Sequence, residues 1–129
     1  MSPPYTKAGR EELNATRNHA VAAYLGLAIG DALGATVEFM TPREIAAQYG
    51  LHQDILGGGW LKLKPGQVTD DTTMALALGE SILAAGGVDA DAAARAFDDW
   101  MRGKPVDIGA TVRRGLLGSH PHTIKHAVI

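Results

Sequence analysis

Gln67-Val68-Thr69-Asp70-Asp71-Thr72-Thr73-Met74-Ala75-Leu76 places a hydroxyl and two adjacent carboxylates immediately before a run with the apolar spacing of a helix. At roughly 4–5 Å and an effective dielectric of about 20, two neighbouring aspartates repel by about 3–4 kcal/mol. Water, the positive end of the helix or a cation must offset that repulsion. Two readings of the stretch are open. In one, Thr69 or an aspartate is an ordinary N-cap with acids in the first turn. In the other, the oxygens form a site for a hard cation. Both contain a helix over residues 71–86. Met74, Ala75, Leu76, Leu78, Ile82 and Leu83 give its apolar positions, and Gly86-Gly87 stops it.

Upstream, residues 17–39 also read as helix, apolar on most sides, which predicts a place in a core. Gly26, Gly30 and Gly34 recur every four residues on one stripe of it. Each costs helix stability, about 1 kcal/mol relative to alanine. The stripe therefore predicts the close approach of another helix or of a ligand. Asp31 interrupts this apolar run, and Glu38 follows seven positions later, close to two helical turns on and so on nearly the same face. A carboxylate among apolar neighbours must be paired, hydrogen-bonded or metal-bound. Asp31 could also cap a neighbouring helix. Thr41-Pro42-Arg43-Glu44 has the pattern of a capping box with proline at the first helical position, and Gly50 stops the short helix it starts.

Residues 51–68 read as an extended, flexible loop. Gly57-Gly58-Gly59-Trp60 lies in it, a run whose amides could approach a phosphate but which lacks a phosphate-loop or dinucleotide fingerprint. Further on, Asp89 or Asp91 caps a helix over about 90–102, with Ala93, Ala94, Ala96, Phe97, Trp100 and Met101 turned inward, and Gly103-Lys104-Pro105 ends it. Val106-Asp107-Ile108-Gly109-Ala110 is a loop leading into Thr111–Leu117. With no sustained strand alternation and no internal repeat, the fold class is all-α.

The whole chain has 129 residues, no cysteine and a net charge of −2. Disulfides, thiolate metal sites and cysteine nucleophiles are excluded. The charge makes no case for nucleic acid or an anionic membrane as partner. The start lacks the charged-then-apolar pattern of a secretory signal. The longest apolar stretch, Ala20–Leu33, is too short and too polar to span a bilayer. These features predict a cytoplasmic protein.

Taken in order, Gly26-Leu27-Ala28-Ile29-Gly30-Asp31-Ala32-Leu33-Gly34, Glu38, Gly57-Gly58-Gly59-Trp60, Thr69-Asp70-Asp71-Thr72 and Pro105-Val106-Asp107-Ile108-Gly109 resemble the ADP-ribosylglycohydrolase family. They look closest to its bacterial branch of dinitrogenase reductase-activating glycohydrolases. The resemblance covers about residues 20–115 and implies an all-α helical domain. It further implies a pair of divalent cations, Mg2+ or Mn2+, and hydrolysis of the bond between ADP-ribose and an arginine side chain or small acceptor. The partner would then be an ADP-ribosylated protein or a small ADP-ribose conjugate. Residue by residue, it makes Thr69, Asp70 and Asp71 metal ligands, with Asp70 and Glu38 catalytic. Asp31 becomes a supporting acid, and Gly57, Gly58, Gly59, Trp60, Asp107, Ile108 and Gly109 line the ADP-ribose pocket.

The family's second ligand cluster, an Asp-x-Asp followed by threonine or serine, has no match here. On this basis the chain divides into a polar arm over 1–16, frayed or a short lead-in helix, the N-terminal portion of a glycohydrolase-like domain over 17–116, and a divergent tail over 117–129. His120, His122 and His126 in that tail are read as chance occurrences. The expectation is a truncated chain with an incomplete site and with apolar helix faces lacking partners. The alternative is a non-catalytic helical fragment that binds ADP-ribose or a protein.

Overall fold

A computed structural model of the chain describes residues 6–118. Five helices follow one another: α1 Lys7–Gly34, α2 Pro42–Tyr49, α3 Asp70–Ala85, α4 Ala90–Arg102 and α5 Ala110–Leu117. Among the described residues the only β pairing is an isolated antiparallel bridge between Gly58 and Leu63. The all-α expectation holds. The tail from position 119 on, with its three histidines, lies outside the described residues, as does the start of the arm.

The local signals act as their chemistry requires. Thr41 Oγ1 accepts from the Glu44 N–H at 3.3 Å, and Glu44 Oε2 accepts from the Thr41 N–H at 2.7 Å, closing a reciprocal capping box. Asp89 Oδ1 accepts from the Ala92 N–H at 2.7 Å and starts α4. Gly86 ends α3 in the left-handed region.

Two boundaries differ from the sequence reading. Helix α1 begins ten residues earlier than expected, at Lys7, because Thr6 Oγ1 accepts from the Gly9 N–H and caps it there. It also ends at Gly34, after which residues 35–40 make turns and Phe39 has a positive φ of 64°. Glu38 therefore lies beyond the helix, and the two-turn argument that placed it on the face of Asp31 does not hold.

Helices α3 and α4 form an antiparallel pair. The Trp100 Nε1–H near the end of α4 donates to Thr73 Oγ1 near the start of α3, at 2.9 Å. Helix α1 also runs antiparallel to α3. Tyr24 Oη donates to the Ala75 carbonyl, while Asp31, seven residues and about two turns further on, meets Thr69 and Thr72. Gly79 admits this packing, since a Cβ there would lie 2.4 Å from Tyr24 Oη.

The buried apolar residues are few and small: Ala32, Ala35, Leu63, Ala93 and Ala94. Here the expectation for α1 is corrected. Val21, Leu25 and Ile29 are each more than half exposed, so the apolar helix is not enclosed. Among the described residues only α3 packs extensively against it, and one neighbour can cover one side. Among the described residues, apolar helix faces are exposed as expected. No helix among the described residues is long and apolar enough to cross a membrane.

Candidate functional site

The site grows from the start of α3. Thr69 occupies the N-cap position, yet its side chain makes no capping hydrogen bond. Asp31, from the last turn of α1, supplies the cap. Its Oδ2 accepts from the Thr69 N–H at 2.9 Å and from the Thr72 N–H at 3.2 Å. Its Oδ1 accepts from Thr69 Oγ1 at 2.7 Å, and Thr72 Oγ1 also donates to Oδ2. Burial pushes the Asp31 carboxyl up, but the hydrogen bonds from the two threonines outweigh it and hold the group below the usual aspartate range. Thr69 thus holds the N-cap position with Asp70 and Asp71 in the first turn, and Asp31 caps a neighbouring helix as its place in an apolar run allowed. The capping acceptor is an acid 38 positions upstream and not the Thr69 side chain.

Asp70 turns to a different element. Its Oδ2 accepts from the Gly109 N–H at 3.0 Å, at the N-cap of α5. Two helix starts therefore meet at this carboxylate, each favouring negative charge. Asp71, exposed in the same first turn, has no such hydrogen bond among the described residues. Burial, then the charges of Asp70 and Asp31, push its carboxyl above the usual range. The repulsion foreseen between adjacent aspartates is present and falls on Asp71.

Glu38 is held from the glycine loop. The Trp60 indole N–H donates to Glu38 Oε2 at 2.7 Å, and the Trp60 ring meets Phe39 edge-on with centroids 5.5 Å apart. The loop itself is not the flexible stretch expected. Gly58 and Leu63 exchange both backbone hydrogen bonds, at 2.7 and 2.8 Å, and the Lys62 N–H reaches the Gly59 carbonyl. Gly59, at φ +64°, passes so close to α1 that a Cβ would lie 2.4 Å from the Ala35 carbonyl oxygen. The amides of Gly58, Lys62 and Leu63 are thus committed inside the loop.

These contacts shape an open cleft of about 680 Å³ between α1 and α3. Asp31, Glu38, Thr69, Asp70 and Asp71 all line it. The stripe of Gly26, Gly30 and Gly34 forms its α1 wall, and a Cβ on any of the three would meet nothing within 4 Å. No helix packs on that stripe among the described residues. Gly57–Trp60 reaches the cleft through the Trp60–Glu38 contact, and Asp107–Gly109 through the Gly109–Asp70 contact. The sequence reading missed Thr72. Its position three residues after Thr69, on the same side of the first turn, is the signal that marked it as a second donor to one acceptor.

The donor set fits a hard divalent cation in kind, being oxygen only, with Asp71 beside the like charges of Asp70 and Asp31. In number it is partial. Among the described residues no three acid or imidazole side chains are gathered to hold one ion.

Comparison with known proteins places the sequence in a family. The profile of the family described as ADP-ribosylglycohydrolase matches residues 12–127. The ADP-ribosyl-[dinitrogen reductase] glycohydrolase of Rhodospirillum rubrum is 59% identical over 99 residues, covering 77% of this chain and 34% of that protein. The ADP-ribosylarginine hydrolase Tri1 of Serratia proteamaculans is 44% identical over 102 residues, covering 73% of this chain and 26% of that protein. The chain thus spans about a third or less of the length of these relatives.

Proposed function

The chain belongs to the ADP-ribosylglycohydrolase family, and on that premise we propose that it carries the acidic side of a site that hydrolyses the bond between ADP-ribose and an arginine side chain or a small acceptor. The observation that carries this reading is the convergence of Asp31, Glu38, Thr69, Asp70 and Asp71 on one cleft. The relatives' names supply the substrate class, an ADP-ribosylated protein or conjugate.

Thr69, Asp70 and Asp71 would hold divalent cations, Mg2+ or Mn2+, which when bound act as Lewis acids toward water and sugar oxygens. The chain's own residues do the rest. Glu38 has one carboxylate oxygen fixed by the Trp60 N–H. The other is left to take a proton from a water attacking the ribose anomeric carbon. A carboxylate beside that carbon also favours its oxocarbenium-like transition state. The Gly109 N–H holds Asp70 in place at the cleft. Half-exposed Trp60 and the Asp107-Ile108-Gly109 loop flank the acids from two sides and line the ADP-ribose pocket in this reading.

The test is release of ADP-ribose from ADP-ribosyl-arginine, followed chromatographically with Mn2+ or Mg2+ present. Release that requires the cation and falls by about a hundredfold or more in Asp70→Ala is expected. Cation-independent release, or release untouched by Asp70→Ala, overturns the reading. A binding-only alternative is favoured by the partial ligand set among the described residues. It predicts calorimetric binding of ADP-ribose without any release.

A further inference from the structure

Asp31 stands where its own helix disfavours it. It lies in the last turn of α1, at the negative end of that helix dipole. Its carboxylate crosses to the start of α3, where negative charge is favoured, and there accepts four hydrogen bonds from Thr69 and Thr72. Capping alone would need only the two backbone N–H groups. The two hydroxyl contacts have a separate consequence. A threonine hydroxyl has one proton and two lone pairs. With its proton committed to Asp31 Oδ1, Thr69 Oγ1 has only lone pairs left to offer elsewhere. Thr69 is also almost fully buried, at 6% exposure, yet lines the cleft beside Asp70 and Asp71. An uncommitted hydroxyl there could turn its proton toward an incoming cation and repel it.

We infer that Asp31 is a positioning residue: by holding the Thr69 hydroxyl proton, it presets the Thr69 oxygen as a cation ligand and is not a ligand itself. This rests on the proposed metal role of Thr69. Asp31 acts through another side chain, in the way outer-shell carboxylates orient the groups that touch a metal.

Removing a carboxylate also removes a charge and a helix cap, so a single variant is not decisive. Four versions of the chain separate the effects: wild type, Asp31→Asn, Thr69→Val and the double variant. Each is titrated with Mn2+ alone, with free Mn2+ read by electron paramagnetic resonance and helix content checked by circular dichroism. Asp31→Asn and Thr69→Val are each expected to weaken Mn2+ binding about tenfold. The double variant is expected to be no weaker than Thr69→Val, within about twofold, because Asp31 has nothing left to orient. A full additional loss in the double variant means that charge or folding explains the effect, and overturns the inference.

A second readout does not depend on Asp31→Asn folding. In the wild-type chain the Thr69 hydroxyl proton should be visible by NMR as slowly exchanging, and should stay so when Mg2+ is added. Exchange as fast as that of an exposed threonine overturns the inference. Failure of the wild-type chain to bind Mn2+ saturably removes the proposed metal site and this inference together. Saturable binding with an additive cycle removes the inference alone.

Discussion

Asp71 is the residue at which the site's charge is least compensated. Asp31 has the threonine donors and Asp70 has the Gly109 N–H. Asp71 has burial and two like charges acting against its ionised form. A group in that position costs the fold stability while ionised and has a reason to persist only if something else uses it. Asp71→Asn is therefore expected to raise the melting temperature of the chain at neutral pH in the presence of a chelator. Differential scanning calorimetry measures this directly, and a lower melting temperature would mean that Asp71 has a stabilising partner. The proposed cation role makes the complementary demand that the same substitution weaken Mn2+ binding. Asp71 was legible as unusual from its sequence neighbour alone. The contribution of Asp31 to its environment was not.

At the scale of elements, α1, α2 and α4 are started by caps within three residues of the amides they satisfy. The α2 capping box shows how such a signal titrates. The Thr41 hydroxyl, and then the Thr41 N–H, hold the Glu44 carboxyl below the usual glutamate range. A carboxyl lowered in the folded state contributes stability that is present above its unfolded pKa and lost as pH falls through its folded value. Amide exchange in α2 should therefore quicken in acid relative to the intrinsic rate, and Glu44→Gln should remove that pH dependence. Hydrogen exchange followed by NMR over the 43–49 amides tests this, and an unchanged dependence in Glu44→Gln would place its source elsewhere. The box at Thr41, the cap at Asp89 and the stop at Gly86 could be read from spacing because donor and acceptor are three to five residues apart. A short lead-in helix was one reading of the polar arm, but its continuity with α1 back to Lys7 was not legible. The polar 7–16 segment has no apolar period to announce it, but Thr6 caps it and α1 carries it on.

At the scale of the whole molecule, α1 presents Val21, Leu25 and Ile29 at four-residue spacing, each more than half exposed. Apolar stripes of this kind favour association. The isolated chain is expected to sediment as more than a monomer at micromolar concentration and to bind a hydrophobic dye. Val21→Lys with Leu25→Glu should reduce both while leaving helix content unchanged. A monomeric wild type that binds no dye would mean that the stripe is covered in solution.

Sequence alone determined the helical class, most helix ends, and the residues with chemistry to offer, because caps, glycine stops and apolar periods are local interactions. The ordered motifs also carried the family. Tertiary structure decided which groups those residues meet. Asp31 caps α3 across 38 positions, Gly109 reaches Asp70 across 39, and Trp60 reaches Glu38 across 22. It also placed Glu38 in the cleft from a turn and not from the helix that spacing implied. Such contacts depend on how elements dock. Docking is set by packing summed over many residues, and no short stretch of sequence records it.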